Sequence, residues 1–218
     1  MDIAYRTNPK VIFLENVKNI LSHADGLTFK FIKQLFEGIG YNLFHAVQNP
    51  YKHGNIPQTR DRVFFVAFRN DLNITDFEFP KPIPLTKTIK DCLESQVNFK
   101  YYYKDDHIHM DKMKSMIVSQ DTAYQLRRVY IRENKKNLCP TLTANMGQGG
   151  NNVPLILDSV GIRKLTPREC FNLMGFPTDY KLPPNMADCH LYKQSGNSIV
   201  VPIIERITEV ILDKLNIE

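Results

Sequence analysis

Four short stretches of the chain hold residue types that can do chemistry. The first is IFLENVKN, residues 12–19, where an apolar run meets Glu15, Asn16 and Val17. A carboxylate there is either an ordinary solvated residue or, in an open α/β sheet, a group placed where ligands bind. The second is GNIPQTRDRVFF, which sets Arg60 and Arg62 two residues apart ahead of an apolar run. At strand spacing the two side chains point the same way. Paired guanidiniums suit a phosphate, a carboxylate or a nucleobase carbonyl; the alternative is a solvated basic edge. The third is PTLTANMGQGGNNVP, where Gly147, Gly149 and Gly150 lie among Thr141, Thr143, Asn145, Gln148, Asn151 and Asn152. It is not a phosphate loop, since no Gly-Lys-Ser/Thr follows and the spacing does not fit GxGxxG. Asn and Gln side chains read adenine edges; the alternative is a polar hairpin tip. The fourth is YKQSGNSIV, with Gly196, Asn197 and Ser198 just before the last helical stretch. A helix N-terminus offers N–H groups to a polar ligand; the alternative is a capping turn.

These groups need elements to hold them. The 218 residues, 43% hydrophobic and 23% charged, suit one large globular domain or two small ones. A net charge of +5 biases the surface toward polyanions without identifying one. Cys92, Cys139, Cys170 and Cys189 show no CxxC spacing, so neither a zinc ribbon nor a redox pair is expected. Reduced thiols, an N-terminus without an apolar h-region and no run long enough to span a bilayer point to a cytoplasmic chain with no membrane partner and no metal site.

Residues 11–14 read as a strand covered on both faces. Leu27, Phe31, Ile32, Leu35, Phe36 and Ile39 recur at helical spacing, and Gly40 is placed to cap that helix. YNLFHAVQ and RVFFVAFR read as two further strands, the latter apolar on both faces. This strand–helix–strand rhythm predicts an α/β sheet. Pro80, Pro82 and Pro84 then mark a linker or domain edge. Residues 91–160 are mixed and polar, with β-like pieces such as RRVYI and VPLIL. LTPRECFNLMGFP predicts a short helix, with Thr166 as N-cap, Pro167 at the first position and Glu169 closing a capping box. In the last helix Ile203, Ile204, Ile207, Val210 and Ile211 form one apolar face, expected to pack on the first sheet.

Each of the four signals is weak alone, but their order is informative. Glu15-Asn16-Val17, then Gln58-Thr59-Arg60-Asp61-Arg62, then a polar Gly-rich region, then Arg168-Glu169-Cys170 with Gly175-Phe176-Pro177, then Gly196-Asn197-Ser198: this resembles the bacterial C5-cytosine DNA methyltransferase family of restriction-modification systems, from about residue 9 onward. The resemblance implies an α/β fold: the latter part of a Rossmann-like methyltransferase sheet, a small, mostly β target-recognition domain, and a C-terminal helix returning to the first domain. The corresponding boundaries are 1–90, 91–190 and 191–218.

The resemblance also implies chemistry. Methyl transfer from S-adenosylmethionine to C5 of a cytosine flipped out of double-stranded DNA would use Glu15 on the base's N3 and exocyclic amine. Arg60 and Arg62 would stand beside it in the active site. Asn197 and Ser198 would line the cofactor pocket. Thr141, Thr143, Asn145, Gln148 and Asn151 would lie on the loop that reads the major groove. Two family features do not occur here: the Phe-x-Gly-x-Gly cofactor loop and the Pro-Cys-Gln segment holding the nucleophile. No cysteine of this chain is therefore assigned as nucleophile, and the S-adenosylmethionine site is incomplete. The expectation is an enzyme component that needs a partner chain or self-association; the alternatives are a catalytically dead DNA-recognition fragment, a truncated gene product or an expressed fragment of a longer enzyme.

Overall fold

The structure is a computed structural model that describes residues 2–128, 130–149 and 152–216. In chain order the elements are α1 (Asp2–Thr7), β1 (Val11–Val17), α2 (Leu27–Gly38), β2 (Tyr41–Gln48), α3 (Pro50–His53), β3 (Arg62–Arg69), α4 (Met110–Met116), β4 (Tyr124–Leu126), β5 (Ile131–Glu133), β6 (Leu155–Leu157), β7 (Ile162–Lys164), α5 (Pro167–Asn172), α6 (Asp188–Asn197) and α7 (Val201–Leu215). The fold is mixed α/β, with two sheets whose neighbouring strands all pair antiparallel. No described helix is long and apolar enough to cross a membrane.

The chain divides into two compact units. One comprises the chain up to Asn49, Asp61–Pro82 and the chain from Glu205 on. Its sheet has the order β1-β3-β2. β3 is the central strand because its apolar run, Val63 to Phe68, suits burial on both faces; each of those residues is 3% exposed or less. On one face Ala67 packs with Phe36 of α2, Tyr41, Ile12 and Leu43. On the other face Phe13 lies 6.0 Å from Phe64, and Phe68 lies 5.4 Å from Phe77. The expected strand–helix–strand connection is present, but β3 lies between β1 and β2, so the two strands joined by α2 do not pair.

β1 departs from the expectation of a strand covered on both faces. Among the described residues it pairs only with β3, and Leu14 and Val17 are 47% and 50% exposed. An apolar run signals burial by something, but it cannot say whether the covering surface lies in the same polypeptide. Leu27 and Phe31, on the apolar stripe of α2, are likewise exposed. Gly40 follows the helix end with φ +83, a left-handed value that a glycine adopts without strain. The later part of α7 belongs to this unit, where Arg206 donates to Lys81 O at 3.0 Å and Lys214 pairs with Asp76 at 2.7 Å.

The second unit comprises Pro50–Arg60 and Ile83–Ile204. Its sheet has the order β5-β4-β6-β7, with strands of three residues each. Met113 and Ile117 cover Tyr124, Leu126, Ile131, Leu155 and Ile162. Among the described residues RRVYI supplies only its final Ile131 to a strand, and Arg127 N donates to Tyr130 O at 2.8 Å between β4 and β5. α5 starts as its sequence predicts: Thr166 accepts from Glu169 N, the Glu169 carboxylate accepts from Thr166 N, and Pro167 takes the first position.

Candidate active site

In the first unit, Glu15 stands near the end of β1 and Arg62 begins β3. The register sets Val17 opposite Arg62, so Glu15 is the diagonal neighbour on the same face. Arg62 Nε donates to Glu15 Oε1 at 2.8 Å, with side chains 17% and 26% exposed. Burial lowers the Arg62 pKa, and Glu15 opposes that shift by its charge and hydrogen bond. The result is a partly desolvated carboxylate held by one guanidinium, an arrangement able to hold a polar heteroaromatic edge.

Arg60 does not share that direction. β3 begins only at Arg62, so strand spacing does not govern Arg60. Its side chain is buried at 5% exposure in the second unit. Nη1 donates to Leu142 O at 2.7 Å, and Nη2 to Gly196 O and Ser198 O at 3.1 and 3.0 Å. Gln58 is also structural, a role the motif order did not reveal. It donates to Leu173 O at 2.7 Å and forms a parallel bridge with Cys139. Thr141 Oγ1 donates to Thr59 O at 2.5 Å. The segment 57–60 thus serves as the seat for the stem of the polar loop.

That loop presents Thr143, Asn145, Gln148 and Gly149 at the surface over a buried Met146. Thr141 is half-buried in the stem, and Thr143 Oγ1 donates to Asn145 Oδ1 at 2.5 Å. Asn152 donates to Asn145 O and Gly149 O, closing the loop on itself. Gly150 and Asn151 lie outside the described residues.

Gly196-Asn197-Ser198 does not lead into a helix as its position before α7 suggested. Gly196 and Asn197 end α6, and Ser198 is its C-cap. The turn therefore offers carbonyls rather than N–H groups, which is what Arg60 uses. Gly196 is required by contact: a Cβ there would lie 2.2 Å from Thr143 C and 2.3 Å from Thr143 O. Gly196→Ala is therefore expected to destabilise the protein by about 1–3 kcal/mol, because backbone rather than a flexible side chain must move. Thermal unfolding measures this, and an unchanged midpoint would refute the close approach. As for a cofactor, Ser198 Oγ is engaged with Ser195 O at 2.7 Å, while Asn197 is exposed. Of the two, only Asn197 presents its side chain at the surface.

Three of the four cysteines, Cys92, Cys139 and Cys170, are buried. Burial pushes the Cys92 thiol up to about 11, and the Cys139 and Cys170 thiols well above their ordinary value. Such thiols hold little thiolate at neutral pH. Among the described residues no group of three or more His, Cys, Asp or Glu side chains is arranged to hold a metal ion.

A family profile described as C-5 cytosine-specific DNA methylase matches residues 1–213. The chain belongs to this family. It is 52% identical over 204 residues to the Type II methyltransferase M.Bsp6I of Bacillus sp. (strain RFL6), covering 92% of this chain and 64% of that protein. It is 34% identical over 227 residues to the Type II methyltransferase M.HhaI of Haemophilus parahaemolyticus, covering 98% of this chain and 66% of that protein. The chain thus spans just under two thirds of these relatives' length. The fold is also that of the S. pombe Dnmt2 methyltransferase structure, with a TM-score of 0.68 at 21% identity, covering 95% of this chain and 68% of that one. The Entamoeba histolytica methyltransferase EhMeth matches with the same TM-score at 19% identity, over 95% of this chain and 63% of that one.

Within this C-5 cytosine-specific family, the buried pair Arg163–Glu169 gives the Arg-Glu-Cys segment a structural meaning. Arg163 Nη1 and Nη2 reach Glu169 Oε2 and Oε1 at 2.8 and 2.7 Å. Arg163 carries no distinguishing signal in the sequence, since it stands in Ile-Arg-Lys next to a second basic residue.

Proposed function

We propose that this chain is part of a DNA (cytosine-5-)-methyltransferase acting on a cytosine flipped out of a specific double-stranded DNA sequence. The observation that carries the reading is the Glu15–Arg62 pair at the strand end, in a chain of this family. Glu15 binds the cytosine N3 and exocyclic amine and shares a proton with N3 as charge develops on the ring. Arg62 orients Glu15 and is within reach of the ring's O2. Arg60 acts from behind, by holding the stem of the loop that carries Thr143, Asn145 and Gln148. Thr141 anchors that stem, and Asn151 completes the reading surface. S-adenosylmethionine supplies the methyl group when bound. Asn197 forms a polar rim of its pocket, and the Ser198 main chain shapes the turn beside it.

The nucleophilic thiolate comes from residues outside this stretch, on the same or a second polypeptide, which also complete the cofactor pocket. The raised thiol pKa values of Cys92, Cys139 and Cys170 support this, as do the open edge of β1 and the exposed Leu14, Val17, Leu27 and Phe31. The region 91–190 would act as the recognition domain and hinge, with 1–90 and 191–218 on the catalytic side.

The test is transfer of tritiated methyl from S-adenosylmethionine to DNA. The chain is assayed alone and with a polypeptide carrying the family's Gly-rich cofactor loop and Pro-Cys-Gln segment. Transfer only by the mixture is expected. Transfer by the chain alone would place the nucleophile among its own cysteines. No transfer in either would refute the enzymatic reading. In the active mixture, Asn145→Ala or Gln148→Ala is expected to reduce discrimination at one base pair by about 1–3 kcal/mol, with the salt dependence unchanged. Equal weakening on all DNA sequences would move base reading elsewhere.

A further inference from the structure

We propose that Asp61 is a positioning residue: its carboxylate clips together the open end of the β1-β3-β2 sheet and thereby holds Arg62 against Glu15. The last ladder pairs at this end are Val17 with Arg62 and Gln48 with Arg62. One step beyond lie Lys18, Asp61 and Asn49, where the ladder has ended. Asp61 Oδ1 accepts from Asn49 Nδ2 at 2.5 Å, and Asp61 Oδ2 lies 3.5 Å from Lys18 Nζ. One carboxylate therefore reaches the residues that continue both flanking strands, and those strands do not pair with each other.

The two arms differ in strength. Lys18 and Asp61 have side chains 60% and 45% exposed, and an exposed ion pair contributes little. Asn49 is buried at 8% exposure, so its amide is the stronger arm. The main chain of Asp61 completes the device. Its carbonyl accepts from Arg62 Nη1 at 2.9 Å, while Arg62 Nε faces Glu15 at 2.8 Å. Arg62 is thus fastened at one end to the residue that the clip immobilises, and its other end is aimed at the carboxylate. Without the clip, the first residues of β3 are free to fray, and Arg62 with them.

The inference rests on the proposed role of Glu15 and Arg62, so its test reads both rate and structure. In the complete methyltransferase, Asp61→Ala is expected to lower kcat by about tenfold or more through misplacement of the pair. The KM for DNA should stay within about twofold, since uniform binding is untouched. Asp61→Asn keeps an oxygen for Asn49 and should recover most of the rate; Asn49→Ala should reproduce the loss. Amide hydrogen exchange in Asp61→Ala should quicken at residues 15–18 and 61–63 but not at Val66 in the middle of β3. An active wild-type enzyme whose kcat is unchanged by Asp61→Ala overturns the proposal and leaves the reading of Glu15 standing. If the wild-type enzyme transfers no methyl group, that reading fails instead, and exchange decides the clip: quickening confined to the strand ends supports it, and unchanged exchange overturns it.

Discussion

Glu15→Gln is expected, on the proposed function, to lower methyl transfer by the complete enzyme by roughly 10²–10⁴-fold, the usual range for loss of a positioned proton-sharing group. The substitution is nearly isosteric. A Gln oxygen can still accept from Arg62 Nε, which in the native protein meets Glu15 Oε1 at 2.8 Å. What it cannot do is share a proton with the cytosine N3 when positive charge develops there. The loss should therefore fall on kcat, with the affinity for DNA retained, because the interaction is made in the transition state. Single-turnover methyl transfer and a DNA-binding titration on the same samples separate the two. Native turnover in Glu15→Gln would remove Glu15 from the mechanism, and a parallel loss of DNA binding would make its role one of affinity.

The second large effect is on stability. Arg163→Met is expected to destabilise the protein by about 3–5 kcal/mol, because it leaves a buried carboxylate without its counter-charge. Arg163 and Glu169 have side chains 1% and 0% exposed. Glu169 would keep the N–H groups of Thr166 and Glu94, at 2.8 and 3.0 Å, but no cation. Burial by itself would lower the Arg163 pKa, but hydrogen bonds and charge from Glu169 and Asp158 outweigh it and raise the pKa. The double change Arg163→Met with Glu169→Gln should recover part of the loss, since no bare charge then remains. Urea unfolding of the three proteins decides this. A single variant within about 1 kcal/mol of native would mean that water reaches the carboxylate.

The same network sets an acid limit. Burial alone would raise the Asp158 carboxyl; the Arg163 hydrogen bond and the backbone N–H of Gly161 outweigh it and hold it below its ordinary value. A depressed carboxyl contributes stability that is present above its unfolded pKa and lost as pH falls through the folded one. Arg163→Met lacks that contribution at any pH, so its stability deficit against the native chain should shrink as pH falls, which urea unfolding at neutral and acid pH would show.

The sequence by itself determined the features whose cause is local. β3 follows from an unbroken apolar run. α5 follows from Thr166, Pro167 and Glu169 within four consecutive positions, and the buried stripe of α7 from isoleucines at helical spacing. The order of the short motifs was enough for the family, because each keeps its residue types at fixed spacing. Only the tertiary structure decided what each polar side chain touches. Arg60 and Arg62 are two residues apart, yet one meets a carbonyl 82 residues away and the other a carboxylate on the neighbouring strand. Spacing cannot separate them, because the strand that would align their directions starts only at the second. Gly196 looked like part of a ligand-facing turn, but its missing Cβ makes room for the Thr143 backbone. β1 looked fully covered, because an apolar sequence records that a surface is to be buried without recording which polypeptide does so. Long-range pairing depends on where two distant segments meet, and no local pattern of residues encodes that meeting.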